Sequence, residues 1–196
     1  MVVTALRPLS KTGYAVDVDG TFAFALYKQE IQTYALEEDC EISGEVYQEI
    51  RALVQKRAKR RALYLLEQQD RTEAALREKL VRGHYTQEIA DEAVAYVKSF
   101  GYLDDRRAAE NYVRGRKKNK SRRELREALL KKGVPSELAA EVLETSYSEE
   151  EERDAVRFIL QKKNIEPACM DEDERQRICG YLQRKGFGYK SIKQVL

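Results

Sequence analysis

From Tyr14 to Leu26, large apolar residues alternate with small or polar ones on either side of Asp19-Gly20. Tyr14, Val16 and Val18 share one face of the first arm, and Phe22, Phe24 and Leu26 share one face of the second. An Asp-Gly pair between alternating runs predicts a two-residue hairpin. From about residue 46 the period lengthens to that of a helix. Leu76 and Leu80, Leu125 and Leu129, and Ile178 and Leu182 are i, i+4 pairs on short helices, followed by His84, Gly133 and Gly186 where a left-handed residue ends a helix. His84 stands in the glycine slot of the first unit, which predicts a rearranged cap there. A second short helix is expected behind Thr86, Ser136 or Ser191. A third helix precedes each pair, marked by Ala62-Leu65-Leu66, Ala109-Tyr112-Val113 and Ala155-Phe158-Ile159, whose starts are 47 and 46 residues apart. Helix-only units with a period in the forties predict stacked three-helix modules. The expected fold is mainly α: tandem three-helix repeats forming a curved elongated array, with a small N-terminal β-hairpin. The expected segments are a hairpin extension over 1–45 and repeats over 46–103, 104–147 and 148–196.

Composition sharpens this picture. Charged residues make up 36% of the 196-residue chain, against about 25% in an ordinary globular chain, so several thin helical layers fit better than one large core. Ten Gly and three Pro are too few for a many-turned sandwich. There is no run of about 18 apolar residues to span a membrane, and the first residues lack the apolar core of a secretory signal. Cys40, Cys169 and Cys179 are scattered without a CxxC pair, as in a reduced cytoplasmic chain. The net charge of +2 conceals segregation: residues 1–50 carry -6, 51–133 carry +11, 134–174 carry -9 and 175–196 carry +6. Blocks of alternating sign point to a docking surface with two polarities rather than to a uniformly basic nucleic-acid binder.

Arg114-Gly-Arg-Lys-Lys-Asn-Lys-Ser-Arg-Arg123 holds seven basic residues in ten. A bland reading is a solvated inter-helix loop; the functional one is contact with a polyanion or an acidic protein face. Its four Arg can grip oxyanions bidentately, and its three Lys attract at longer range. Lys56-Arg57-Ala58-Lys59-Arg60-Arg61 is read as opening the first helix of repeat one, and Arg77, Lys79 and Arg82 follow on the next helix, with Arg77 and Arg82 turned to solvent or partner by the inward Leu76/Leu80 face. Tyr112 and Tyr102 are assigned to packing rather than to base stacking. Asp104-Asp105 is read as a helix cap and dipole-compensating charge rather than an acid/base pair. Glu149 to Glu152 open the third repeat's first helix, where they suit the N-terminal dipole and would repel DNA. Asp17-Val-Asp19-Gly20 lacks the later ligands of a calcium loop. His84 has no partner at metal-ligand spacing, and no phosphate-loop, nucleophile-elbow or zinc-protease motif occurs. Neither catalytic, metal nor cofactor residues are assigned.

The string from Gly101 through Leu103-Asp104-Asp105-Arg106-Arg107-Ala108-Ala109 to Arg116, with the basic loop and Glu124-Leu-Arg-Glu-Ala-Leu-Leu-Lys-Lys-Gly133 behind it, closely resembles the RecX family of bacterial recombinase regulators. The similarity covers roughly residues 56–196, and longer members carry a hairpin like that of residues 14–27. Ala108 departs from the family's usual Phe, and His84 from its usual Gly. The resemblance implies three tandem three-helix repeats and a non-enzyme. It implies binding to the RecA recombinase filament with its bound single-stranded DNA, in the helical groove across neighbouring subunits. Inhibition of ATPase, strand-exchange and coprotease activities in DNA repair and the SOS response follows from that family role. The partner-binding candidates are Arg77, Lys79 and Arg82, then Arg106, Arg107, Arg114 and Arg116, then Lys117, Lys118, Lys120, Arg122, Arg123 and Arg126. A monomer with no cofactor, no membrane contact and at most weak direct DNA contact is expected. The alternatives are a free-standing DNA-binding repeat protein and a generic protein scaffold. The hairpin is expected to dock near Leu53 and Val54 as an accessory that tunes the inhibitor.

Overall fold

The computed structural model describes all residues, 1–196, and divides them into two compact units, Met1–Leu103 and Asp104–Leu196. The first begins with a sheet of three strands where a two-stranded hairpin is expected. Strands β1 (Val3–Pro8), β2 (Gly13–Val18) and β3 (Thr21–Tyr27) pair antiparallel in the order β1-β2-β3. Asp19 and Gly20 form the expected turn, both with positive φ (48° and 79°), as a two-residue hairpin turn of this kind requires. Strand β1 escapes a reading by alternation because Thr4 sits in a register irregularity between Val3 and Ala5, which breaks the period of two. A second irregularity, between the Val16–Phe24 and Asp17–Phe22 pairs, admits Ala23 to the core and leaves Phe22 only half-buried. Phe22 therefore does not share the core face of Phe24 and Leu26, contrary to the simple alternation.

Helix α1 (Lys28–Thr33) follows β3 directly, and α2 (Gly44–Gln68) runs for 25 residues from a Ser43 cap whose hydroxyl accepts from the Val46 amide. Neither Gly nor Pro interrupts α2 after its first residue, so nothing breaks it earlier. The basic run 56–61 consequently lies in mid-helix and does not open it. Ile50, Val54, Ala58, Ala62 and Leu65 form the buried stripe of α2. Helices α3 (Glu73–Val81) and α4 (Gln87–Ser99) complete the first repeat, with Thr86 capping α4 as expected. One core joins Val16, Phe24 and Leu26 of the sheet to Ile50 and Val54 of α2 and to Leu76, Leu80 and Val94. The Phe24 and Tyr47 rings lie 4.9 Å apart. The sheet does dock on α2, through Ile50 and Val54 rather than Leu53, which is only half-buried.

The second unit holds α5 (Asp105–Arg116), α6 (Arg122–Lys131) and α7 (Ser136–Ser146), then α8 (Glu149–Lys162), α9 (Glu172–Arg184) and α10 (Tyr189–Lys193). Two single 3-10 turns, Lys117–Asn119 and Pro167–Cys169, occupy the lengthened links. Each triad has its own core, one built on Ala109, Leu125 and Leu129 and the other on Ala155, Leu182 and Ile192. Several expectations shift by a residue or a role. Ser136 is the first residue of α7 behind Pro135, and Ser191 lies inside α10, so neither caps its helix. Phe158 is exposed, and Val156 and Leu160 join Ala155 and Ile159 in the core instead. Tyr102 stacks on Phe100 with ring centroids 5.9 Å apart but is half exposed rather than packed inside. Tyr112 does pack against the second repeat's core, with the Lys132 ammonium 4.8 Å from its ring.

The reversal between the second and third helices has the same geometry in each repeat. The amides of Tyr85, Val134 and Phe187 donate to the carbonyls of Leu80, Leu129 and Leu182, five residues back, closing a Schellman turn. The intervening residues His84, Gly133 and Gly186 have φ of 63°, 77° and 90°. His84 therefore adopts the left-handed geometry itself, at a steric cost of about 1–2 kcal/mol, and the cap is not rearranged. Leu129 is fully buried at this reversal. Leu129→Ala is expected to destabilise the second unit by about 2–5 kcal/mol; urea unfolding followed by circular dichroism measures the loss, and an unchanged midpoint would contradict the burial.

Candidate functional site

The anticipated partner surface separates into a basic face on each unit. On the second unit, α5 is capped by Asp104, whose carboxylate accepts from the Arg107 amide at 3.0 Å. The helix runs into the 3-10 turn and then into the Ser121 cap of α6, where Ser121 and Glu124 exchange hydrogen bonds, both at 3.1 Å. This geometry divides the basic loop by function. Lys117 pairs with Glu151 of α8, and Arg122 pairs with Glu144 at 2.9 Å while donating to the Tyr147 carbonyl. Arg123 reaches Glu127 at 3.9 Å and donates to the Arg184 carbonyl; Arg106 pairs with Glu141, and Arg126 donates to Ser136 Oγ at 2.9 Å. Arg114, Arg116 and Lys118 enter no ion pair and are exposed; Lys120 is half-buried, and its carbonyl accepts from the Tyr147 hydroxyl at 2.8 Å. The free charge is thus concentrated at the end of α5 and in the turn behind it.

The bonds of that loop form a polar seam between the second and third repeats. Ser121 is fully buried and its hydroxyl donates to the Lys185 carbonyl at 2.6 Å. Tyr147 is 1% exposed and lies under the Arg122 guanidinium, 5.8 Å from its ring centroid. Burial raises the pKa of its phenol, with a further push from Glu152, so the hydroxyl remains a donor to Lys120. The acidic start of α8 does more than offset a helix dipole: Glu149 pairs with Lys190 at 2.9 Å, and Glu152 accepts from the Ser191 hydroxyl at 2.6 Å. A methyl group on Gly186 would fall 2.8 Å from Arg123 Cβ and 3.0 Å from Ser121 Oγ. With φ at 90° as well, Gly186→Ala is expected to cost about 1–3 kcal/mol. Thermal unfolding of the full chain tests this against Gly115→Ala, whose added Cβ would meet nothing within 4 Å.

On the first unit, Arg77 is half-buried and engaged within the fold. It pairs with Glu73 at 3.1 Å and with Asp91, while Lys98 also reaches Glu73 at 2.7 Å. Arg82 pairs with Glu78 at 2.6 Å but remains exposed, as does Lys79. Lys79 and Arg82 line a cleft of about 690 Å³ with Arg57, Arg60 and Arg61 of α2. The basic run on α2 is visible in the chain, but its meeting with α3 and with Tyr27 depends on how the helices pack. Elsewhere in this unit Glu73 and Asp91 are held by cations. The hydrogen bond from Lys98 lowers the Glu73 pKa, burial opposes it and Arg77 assists; the Arg77 hydrogen bond lowers that of Asp91. Because both folded pKa values are depressed, this stabilisation is present above the ordinary carboxylate range, about pH 4, and is lost as pH falls through the folded values. The stability advantage of the native chain over Glu73→Gln is expected to hold from neutral pH down to about 5 and to vanish in stronger acid, as urea unfolding across pH would show.

Relatives account for this arrangement. Profiles of the RecX first, second and third three-helix domains match residues 58–96, 104–143 and 149–196. The regulatory protein RecX of Caldanaerobacter subterraneus subsp. tengcongensis is 31% identical across all of this chain and 98% of its own length. The chain belongs to the RecX family. The RecX relatives are regulatory proteins by name, and this is a regulatory protein of their kind. That of Trichlorobacter lovleyi is 36% identical over 68% of this chain and 90% of its own, and that of Clostridium perfringens strain SM101 is 27% identical over 92% and 87%. A crystal structure of a regulatory protein RecX superposes with a TM-score of 0.63 at 21% identity, covering 99% of this chain and 98% of that one. RecX from Lactobacillus salivarius gives 0.60 at 21% identity, over 74% and 95%. The fold of these structures is the one described above. No helix is long and apolar enough to cross a membrane.

Proposed function

We propose that this chain binds the RecA recombinase filament, with its bound single-stranded DNA, and inhibits ATPase, strand exchange and coprotease activity in DNA repair and the SOS response. It acts as a monomer in the cytoplasm, by occupying the filament rather than by chemistry of its own. The observation that carries this reading is the match of all three repeat domains to a family of regulatory proteins, together with a relative aligned over the whole chain. The exposed cations Arg114, Arg116 and Lys118 supply a contact surface for an acidic or phosphate-bearing face, while Lys117 and Arg122 are engaged within the fold. The acidic opening of α8, Glu149–Glu152, disfavours a purely DNA-binding repeat protein, because a duplex laid along it would meet like charge.

The test is recombinase ATPase on single-stranded DNA, titrated with the full chain. Half-inhibition at a defined ratio to recombinase is expected, with a salt-resistant component that free DNA binding would lack. Reversing Arg114, Arg116 and Lys118 to Glu is expected to raise the half-inhibiting concentration about tenfold, in the range set by interfacial charge pairs, with helicity unchanged. Full inhibition by the folded triple variant would remove this surface from the contact, and absence of inhibition by the native chain would reject the reading altogether.

A further inference from the structure

The cleft on the first unit is built from three directions. Tyr27 closes it from the end of β3; Arg57, Arg60 and Arg61 project from successive positions of one side of α2; Lys79 and Arg82 project from the end of α3. Its lining contains no carboxylate. Two of its five cations are neutralised nearby, Arg57 by Glu30 and Arg82 by Glu78. Arg60, Arg61 and Lys79 have no ion pair, although Arg61 also lies over the Tyr64 ring. Many cations of the chain are matched to a neighbouring acid, so three uncompensated charges converging on one concavity are a distinct feature. Like charges at helical spacing repel one another, and a multiply charged anion seated among them removes that cost.

The size and walls of the cleft narrow the occupant. A volume of about 690 Å³ suits a compact molecule, whereas a continuous strand needs a groove that tracks its backbone beyond one pocket. Tyr27 is about half exposed, and the Arg57 guanidinium lies 4.6 Å from its ring centroid. Arg57 is itself fixed, donating to the Ala25 carbonyl at 3.0 Å and pairing with Glu30, whose other oxygen accepts from the Tyr27 amide at 2.8 Å. A flat ring backed by a held guanidinium offers a stacking surface for a base. The positive field also reaches Tyr85 on the cleft wall: burial raises its pKa, while Arg57, Arg61 and Arg60 pull it back.

We propose that this cleft binds the polyphosphate chain of a nucleotide, with Arg60, Arg61 and Lys79 as its phosphate ligands and the base against Tyr27. The site is separate from the Arg114, Arg116 and Lys118 surface of the recombinase reading, although Lys79 and Arg82 are also among the residues expected from the sequence to meet a partner. It also gives the N-terminal sheet a role, because β3 and α1 supply Tyr27 and the acid that orients Arg57.

Isothermal titration of the full chain with ATP, and separately with inorganic tripolyphosphate, tests the site. Both are expected to saturate one site at sub-millimolar to millimolar concentration. The exposed pair Arg60→Glu with Lys79→Glu is expected to weaken both by about tenfold or more. Arg116→Glu with Lys118→Glu, which makes the same change in net charge on the other unit, is expected to leave both within about twofold. Tyr27→Ser should weaken ATP and spare tripolyphosphate; an unchanged ATP affinity overturns the placement of the base. The proposal is overturned if neither anion saturates. It is overturned equally if both pairs of reversals weaken binding alike, which would mean diffuse attraction. Binding of a single-stranded oligonucleotide or an acidic peptide through Arg60 and Lys79, with no binding of ATP or tripolyphosphate, also overturns it in favour of a macromolecular surface.

Discussion

A three-helix unit of some 40 residues buries too little apolar surface to stand alone, and the packing of the repeats answers that constraint. The first repeat meets it with an apolar cover. The three-stranded sheet lays Val16, Phe24 and Leu26 against Ile50 and Val54, and the sheet and α2 to α4 become one core. The second and third repeats keep separate cores and are joined by a polar seam. Buried Ser121 reaches the end of α9, Tyr147 reaches back to Lys120, and Lys117 meets Glu151. Hydrogen bonds of this kind add little net energy when made and cost considerably when half-made, so the seam specifies geometry more than it adds stability.

The segregated charge has the same logic. The acidic block at the start of α8 and the basic loop before α6 are complementary pieces of one unit, and part of each is consumed internally. Arg114, Arg116 and Lys118 are left exposed and outside that pairing. On the first unit, Arg77 is likewise taken up by Glu73 and Asp91, whereas Lys79 stays free.

Much of this was legible in the chain itself. The i, i+4 apolar pairs placed the short helices, the left-handed residues placed their ends, and the Asp-Gly turn placed two strands, because each of these signals acts over four or five residues. The family string around Gly101–Arg116 was likewise local. Strand β1 is not legible in the sequence: its period is broken at Thr4, and its backbone pairs with β2 and with the segment at Cys40, both distant along the chain. Phe22 departs from strand alternation because of a bulge, and Phe158 departs from the helical triplet because that side of α8 is left uncovered.

The division between the two sources of information is physical. Helix period, turn chemistry and total charge depend on neighbours along the chain, and the sequence determined them. Whether a cation is free or spent depends on carboxylates that are distant in sequence: Lys117 on Glu151, Arg77 on Asp91, Arg57 on Glu30. The convergence of Arg60 and Arg61 with Lys79 depends on how α2 crosses α3, and the presence of Tyr27 beside them depends on where the sheet docks. Those were decided by tertiary structure, since Coulomb and hydrogen-bond energies fall with distance in space and are indifferent to distance along the chain.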